Sequence, residues 1–207
     1  MTYVLTDRYV RRALASAART DADIAEALSA YGYPRSRRRD PGFATLLRII
    51  VGQQVSTKAA ASIFARLMDA LGGEDPARLL RLRRTTLRKV GLSQAKTEYV
   101  RALATAIARE GLELSEFGAL ADDEVIERLT AIRGIGLWSA QIYLMFCLGR
   151  PDVWPRGDLG VLNGLQRIKG VDARPTPAQS EAMVACFAPK RSAIALLAWH
   201  VVNAPPG

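Results

Sequence analysis

The chain has 207 residues, of which 49% are hydrophobic and 24% are charged, proportions typical of a soluble protein with a buried core. Lys and Arg number 29 against 20 acidic residues, which gives a net charge of +9 and a sequence pI near 10.1. This excess of positive charge indicates a polyanionic partner. No apolar run reaches the ~18 residues that a membrane span needs, and Met1 to Arg12 lacks the apolar stretch of a signal peptide. We therefore expect a cytoplasmic protein with no membrane partner.

Cysteine and histidine are too few for most metal chemistry. The two cysteines, Cys147 and Cys186, lie in apolar helical patterns and cannot supply the four thiolates of an iron–sulfur cluster or a zinc ribbon. We expect both to be buried as small hydrophobic residues. His200 is the single histidine, so we expect no metal site. The chemistry must then come from carboxylates, hydroxyls, amides or lysine.

The hydrophobic pattern is helical nearly throughout the chain. Apolar residues recur every three or four positions from Val55 to Leu71 and again from Val100 to Ile107, as on one face of an amphipathic helix. No stretch alternates apolar and polar residues as a strand does, so we predict an all-α fold with roughly ten helices. Breakers rich in Gly and Pro separate the helical stretches; they lie at Tyr33–Pro34, Asp40–Pro41–Gly42, Gly72–Gly73, Gly111 and Gly149–Arg150–Pro151.

Two of these breaks predict two helical lobes. Residues 43–148 would form a central lobe, and residues 1–42 together with 149–207 would form the second, with a cleft between them. Arginine clusters occur in both predicted lobes and fit either a solvated face or a nucleic-acid contact. They comprise Arg35, Arg37, Arg38 and Arg39, and then Arg81, Arg83, Arg84, Arg88 and Lys89.

The most informative stretch, Leu129 to Val161, contains two glycines between predicted helices. Gly134 and Gly136 flank Ile135, and this arrangement favours a tight hairpin because glycine allows positive φ and close backbone approach. Ile135 would anchor the hairpin in the core, and the amides at the start of the next helix would suit a phosphate. An ordinary αα-corner also favours glycine. Further along, however, Pro155–Arg156–Gly157–Asp158 enters another helix, and the combination is much more specific.

These motifs resemble the helix–hairpin–helix/Gly-Pro-Asp superfamily of base-excision DNA glycosylases, from roughly Asp40 to His200. Within it, the chain is most similar to the alkyladenine branch, the DNA-3-methyladenine glycosylase II type. The segment Gly52–Gln53–Gln54–Val55–Ser56 resembles a Gly-Gln-Gln-Val-Ser segment of that branch, and Arg191–Ser192 followed by Trp199 resembles its closing helix. The resemblance implies the compact form, without the N-terminal β-rich domain of the best-known members.

The resemblance implies that Asp158 is the catalytic carboxylate, near the mouth of an active-site cleft between the lobes. A carboxylate at a helix N-terminus is stabilised as an anion, and it can stabilise an oxocarbenium-like sugar or orient the attacking water. An alkylated purine is already cationic, so its departure needs no second acid. The expected reaction is hydrolysis of the N-glycosidic bond of purines such as 3-methyladenine in duplex DNA. Considered without the family, Asp158 fits a plain helix N-cap better.

Two tryptophans, Trp138 and Trp199, are implied to line the base pocket. Trp138 stands where bifunctional members of the superfamily carry the catalytic lysine, so the resemblance implies a monofunctional enzyme without Schiff-base chemistry or strand cleavage. An electron-rich ring attracts a cationic purine once the base has been flipped out of the duplex. Both tryptophans also fit a purely structural role in the core. Ile142 replaces a further pocket aromatic that the branch can carry.

The resemblance assigns the remaining site residues to DNA contacts. Gln53 would border the base pocket, and Gln54 would be the wedge that fills the gap left by the flipped base. Hydrogen bonding between helices explains both glutamines about equally well. The expected phosphate contacts are Lys58, Arg133, Gly134, Gly136 and Ser139, although Lys58 also fits a plain solvent-exposed role.

The implied partner is double-stranded DNA with alkylated bases, bound by a monomer that is associated with the nucleoid if the source is prokaryotic. No cofactor is expected to be required, no iron–sulfur cluster fits the cysteine count, and a monovalent cation could bind the hairpin carbonyls. Two alternatives stay open. One is a non-catalytic helix–hairpin–helix DNA-binding protein, and the other is a glycosylase for oxidised or mismatched bases.

Overall fold

The computed structural model describes residues 3–204. No strand occurs in this part of the chain, which confirms the predicted all-α fold. Twelve α-helices occur there against the roughly ten expected, because the six-residue α5 and α6 are too short to show a periodic pattern. The helices are α1 (Asp7–Ala17), α2 (Ala22–Tyr31), α3 (Phe43–Gly52), α4 (Thr57–Leu71), α5 (Pro76–Arg81), α6 (Arg84–Lys89), α7 (Gln94–Arg109), α8 (Asp122–Thr130), α9 (Leu137–Phe146), α10 (Leu159–Lys169), α11 (Pro177–Val184) and α12 (Arg191–Asn203), with short 3-10 helices at Leu114–Gly118 and Ala185–Phe187.

The described residues divide into two compact units. One is Arg39–Tyr143, which holds α3 to α8; the other comprises the described parts of Thr2–Arg38 and Leu144–Gly207, which hold α1, α2 and α10 to α12. The lobes expected from sequence, 43–148 and 1–42 plus 149–207, have similar boundaries. Residues 1–2 and 205–207 of the second lobe lie outside the described residues. The cleft between the lobes stays a prediction.

In the first unit, serine caps set where helices begin. The hydroxyl of Ser56 accepts a hydrogen bond from the Ala59 amide at the start of α4, and that of Ser93 accepts one from the Lys96 amide at the start of α7. Caps of this kind stabilise a helix by about 1 kcal/mol. Because Ser56 takes the cap position, Val55 precedes α4 and is 39% exposed, so the predicted place of Val55 on the buried face is wrong. That face is formed by Phe64, Leu67 and Leu71.

In the second unit, the backbones of α10 and α12 nearly touch. A Cβ on Gly164 of α10 would lie 2.0 Å from the carbonyl oxygen of Ala198 in α12. Only glycine permits this approach. The α12 helix is buried at every position from Ser192 to Trp199, so it is the central helix of this unit, and α10 is fixed against it.

An ion pair joins α10 to α2 within the second unit. The Lys169 ammonium donates hydrogen bonds to Asp21 and, at 3.0 Å, to Asp23, and Asp21 also caps α2 by accepting from the Ile24 amide. Burial works against both charges. The hydrogen bonds between them nevertheless hold the pKa of Asp21 below its ordinary value and the pKa of Lys169 above its ordinary value.

The two cysteines differ in exposure. Cys147 is buried as expected, but Cys186 is exposed, so the prediction of burial is wrong for Cys186. This residue lies in the short 3-10 helix Ala185–Phe187, in which Phe187 is the buried member. Within residues 3–204, no helix is long and apolar enough to cross a membrane, and no cluster of His, Cys, Asp and Glu could hold a metal ion.

Candidate DNA interface and active site

The predicted hairpin lies between α8 and α9 in the first unit. The amide of Ile135 donates to the Ile132 carbonyl at 3.0 Å, and the Ile135 side chain is 3% exposed, which confirms its role as the anchor in the core. Gly134 has φ 93°, and a Cβ there would lie 2.0 Å from the Tyr99 ring. Gly136 is exposed with open space around it. The first glycine therefore allows close packing, and the second leaves the start of α9 accessible to an anion.

Gln53 connects the turn after α3 to this hairpin. Its Nε2 donates to the Gly134 carbonyl at 2.9 Å and to the Ser139 hydroxyl at 3.1 Å. This is the hydrogen-bonding role that the sequence left open, and a position at a base pocket stays a prediction. Ser139 is 2% exposed, and its hydroxyl already accepts a hydrogen bond from Gln53, so a phosphate contact from Ser139 stays a prediction.

Lys96 supports the same turn from α7. Its ammonium donates to the carbonyls of Val51 and Gln53, both at 2.7 Å, and burial lowers the pKa of Lys96. Lys96 is not among the site residues predicted from the sequence. The sequence does contain a signal for Lys96. The helix dipole disfavours a positive charge in the first turn of a helix, so a lysine there needs a compensating partner. Here the partners are the carbonyls at the end of α3.

Gln54 occupies the tip of the turn in a strained conformation. It has φ 56° and is the only non-glycine residue with positive φ in residues 3–204. Such a conformation costs about 1–3 kcal/mol and persists where neighbouring contacts impose it, often at functional sites. The side chain is exposed, and Lys58 and Arg133 are exposed as well. The wedge role of Gln54 and the phosphate roles of the two cations stay predictions.

Asp158 begins α10 in the second unit. Its Oδ1 accepts hydrogen bonds from the Val161 amide and from the Trp199 indole Nε1, each at 2.9 Å. The residue is thus the helix N-cap that the sequence indicated, and the indole contact is a further feature that a plain cap does not need. Two N–H donors and the helix dipole stabilise the negative charge of this carboxylate. The carboxylate is only half-buried.

Glycine in α10 allows Trp199 to reach the carboxylate. A Cβ on Gly160 would lie 2.9 Å from Cδ1 of Trp199 and 3.2 Å from Oδ1 of Asp158. The indole ring is 7% exposed, with the Phe146 ring 5.6 Å away at an angle of 47° and the Arg37 guanidinium 5.2 Å from the ring centroid. The base-pocket role expected for Trp199 stays a prediction, and nothing in the sequence marks Gly160 as the residue that admits its indole.

The start of α12 holds the segment that leads to Asp158. Asp152 accepts from the Arg191 Nε at 2.7 Å and from a second guanidinium nitrogen at 2.8 Å, and the hydrogen bond from Arg191 lowers the pKa of Asp152. Ser192 donates to the Arg150 carbonyl at 2.8 Å and accepts from the Val153 amide at 2.9 Å. One helix therefore fixes the chain before the aspartate and also supplies the indole that contacts it.

Trp138 lies at the second position of α9 in the first unit and is half-buried. Trp154 is buried, and its indole Nε1 donates to the Ser180 hydroxyl at 3.1 Å, which is a structural role. The tryptophans of the chain thus differ: Trp199 contacts the carboxylate, Trp154 supports the core, and the pocket role of Trp138 stays a prediction.

The all-α fold, the anchored glycine hairpin and the capped aspartate together define a protein of the helix–hairpin–helix class. Residues 47–189 match the HhH-GPD superfamily of base excision DNA repair proteins, and the chain belongs to that superfamily. The resemblance found in the sequence is therefore confirmed.

Several relatives are similar over much of the chain. The Bacillus subtilis protein YfjP is 31% identical over 166 residues, which are 76% of this chain and 58% of YfjP. DNA-3-methyladenine glycosylase 1 of Schizosaccharomyces pombe is 30% identical over 80% of this chain and 74% of its own length. The chain therefore spans between about half and three quarters of the length of these curated relatives.

Solved structures agree with this assignment. The S. pombe 3-methyladenine DNA glycosylase Mag1, solved in complex with abasic DNA, has a TM-score of 0.84 and 28% identity over 91% of this chain and 95% of Mag1. The DNA-3-methyladenine glycosidase of Bacillus halodurans has a TM-score of 0.80 and 30% identity over 98% of this chain and 93% of that chain.

Proposed function

We propose that this protein is a monofunctional DNA glycosylase that hydrolyses the N-glycosidic bond of alkylated, cationic purines such as 3-methyladenine in duplex DNA. The observation that carries the proposal is the Asp158 carboxylate, which caps α10 and accepts the Trp199 indole N–H. The names of the relatives support the same activity.

The proposed reaction uses the charge of Asp158. As the bond to the purine breaks, positive charge develops on the sugar, and a fixed carboxylate stabilises that charge. The same carboxylate can orient the water that adds to the sugar. The alkylated purine carries its own positive charge and leaves without a general acid. Trp138 occupies the place expected for a catalytic lysine, so no Schiff base forms and the strand stays intact.

The first unit would hold the DNA. The open glycine hairpin at the start of α9 offers amides to a phosphate, and a monovalent cation on the hairpin carbonyls would strengthen that contact. Gln54 would enter the duplex as the base is flipped out. We propose that the protein works as a monomer in the cytoplasm, on the nucleoid in a prokaryote, because one chain supplies both the hairpin and the carboxylate.

The test is base release from alkylated duplex DNA by the native protein and by Asp158→Asn, with the products separated by chromatography. Asparagine caps helices as well as aspartate, so this variant removes the charge and keeps the fold. We expect release of 3-methyladenine or 7-methylguanine by the native protein and a fall of about 100-fold or more in the variant. Sodium borohydride should trap no protein–DNA adduct.

Three results would each contradict a part of the proposal. Equal DNA binding by both proteins with no base release by either would indicate a non-catalytic helix–hairpin–helix DNA-binding protein. Release of oxidised or mismatched bases in place of alkylated ones would show that the protein is a DNA glycosylase but would contradict the proposed alkylated substrate. A trapped adduct would contradict the monofunctional mechanism.

A further inference from the structure

The segment after α2 carries an arginine to the Trp199 ring. Residues 32–38 form no helix, yet two contacts anchor them: the Ser36 backbone amide donates to the Asp7 carboxylate at 2.6 Å, and the Arg38 side chain places its guanidinium 5.0 Å from the centroid of the Tyr3 ring. Arg37 lies between these two anchored residues. Its position near the indole is therefore set by its neighbours in the chain.

Arg37 is the exposed part of the cover over the indole. The Arg37 guanidinium lies 5.2 Å from the Trp199 ring centroid, and its side chain is exposed, whereas the ring itself is 7% exposed. The other aromatic neighbour, Phe146, is 4% exposed and belongs to the core. A base that is to stack on this ring can displace an exposed arginine far more easily than a buried phenylalanine.

We propose that Arg37 is a specificity-determining residue. In the free protein, its guanidinium occupies the place at the face of the Trp199 ring that a cationic base would take. Arg37 thereby controls how strongly the protein distinguishes charged bases from neutral ones. The inference rests on the proposed function, because it takes Trp199 as a ring that a flipped base meets. A cation is attracted to the face of an indole, and two cations at the same face repel each other. A cationic purine must therefore displace Arg37, whereas a neutral purine can enter beside it.

The first test compares Arg37→Met with Arg35→Met. Both variants lose one positive charge from the same exposed segment, but Arg35 is not over the indole. The measured quantity is kcat/KM for release of 7-methylguanine, which is cationic in DNA, and of hypoxanthine, which is neutral. We expect the ratio of the two to rise about 3- to 10-fold in R37M and to stay unchanged in R35M. An equal loss for both bases in both variants would indicate a phosphate contact and overturn the proposal.

A second test needs no catalysis. The cation 1-methylnicotinamide and its neutral analogue nicotinamide are titrated into the native protein, R37M and R35M while the indole N–H resonance of Trp199 is followed by NMR. We expect R37M to bind the cation about 3- to 10-fold more tightly than the native protein, with nicotinamide unchanged. Equal binding of the cation by all three proteins overturns the inference. If the native protein releases no base while this titration gives the expected result, the proposed function fails and the role of Arg37 stands.

Discussion

Replacing Gly164 by alanine changes the contact between α10 and α12. The added Cβ would lie 2.0 Å from the Ala198 oxygen, 2.4 Å from its carbonyl carbon and 2.7 Å from its Cα. All three are backbone atoms, so no side chain can rotate to make room. A Cβ essentially never lies closer than 3.0 Å to another heavy atom, whereas here its distance to the Ala198 oxygen would be 2.0 Å. The two helices must therefore separate locally by about 1 Å, the difference between these two distances.

The magnitude follows from two opposing effects. Overpacking of a close contact costs about 1–3 kcal/mol, and a clash with backbone belongs at the upper end, whereas alanine in a helix gains up to about 1 kcal/mol over glycine. The net expected loss of stability is about 2 kcal/mol. A separation of about 1 Å would also stretch the 2.9 Å bond from Trp199 to Asp158 beyond hydrogen-bonding range. Hydrogen bonds to charged groups contribute about 1.5–3 kcal/mol, so kcat should fall about 10- to 100-fold.

The assay pairs urea unfolding with single-turnover base release. The control is Gly52→Ala, which also lies in a helix but has no atom within 4 Å of the added Cβ; its stability should stay equal or rise by up to about 1 kcal/mol. If Gly164→Ala were as stable and as active as the native protein, the close approach of α10 and α12 would not be what positions the indole, and the reasoning would be refuted.

Three further substitutions test separate contacts. Trp199→Phe keeps an aromatic ring but removes the N–H donor to Asp158, and we expect kcat to fall about 10-fold with DNA affinity unchanged in an equilibrium binding assay. Lys96→Met leaves the two carbonyls at the end of α3 without their donor, so binding of abasic duplex should weaken about 10-fold and recover in Lys96→Arg. Lys169→Met removes the partner of Asp21. The native protein should exceed this variant in urea stability near neutral pH, and the difference should shrink at both extremes of pH.

The pH dependence of the last variant follows from the two pKa shifts. Asp21 has a lowered pKa, so its contribution is present above the unfolded value of about 3.9 and is lost as pH falls through the folded value. Lys169 has a raised pKa, so its contribution is present below about 10.4 and is lost as pH rises through the folded value. A stability difference that stays constant from pH 3 to pH 11 would contradict the ion pair. For Trp199→Phe, an unchanged kcat would contradict the expected contribution of the indole N–H. For Lys96→Met, unchanged binding of abasic duplex would contradict the expected support of the turn by Lys96.

Local features of the site could be predicted from the sequence. The hairpin depends on two glycines and one apolar residue within a few positions, and Ile135 is buried as this spacing predicts. Asp158 caps the helix that immediately follows it, which is also a short-range relation. The helical class followed from periodicity, although Ser56 as a cap moved the start of α4 away from Val55. In each case the interacting groups are close neighbours along the chain.

Long-range contacts could not be predicted in this way. Gly164 is required by the Ala198 backbone, Lys96 contacts carbonyls more than 40 residues before it in the chain, and Arg37 reaches the ring of Trp199. Their residue types alone do not reveal these partners, because glycine, lysine and arginine are common on exposed helices and turns. Only the packing of the helices within each unit brings these groups together.

The difference between the two cysteines has a practical use. The sequence contains two cysteines, of which Cys147 is buried and Cys186 is exposed. A maleimide fluorophore should therefore attach to Cys186 in the folded native protein without any substitution, because maleimides react with accessible thiols. The dye would be attached close to the end of α11, in the unit that carries Asp158. With an acceptor dye on the DNA, single-molecule energy transfer could follow how long the protein stays at one lesion before it moves on.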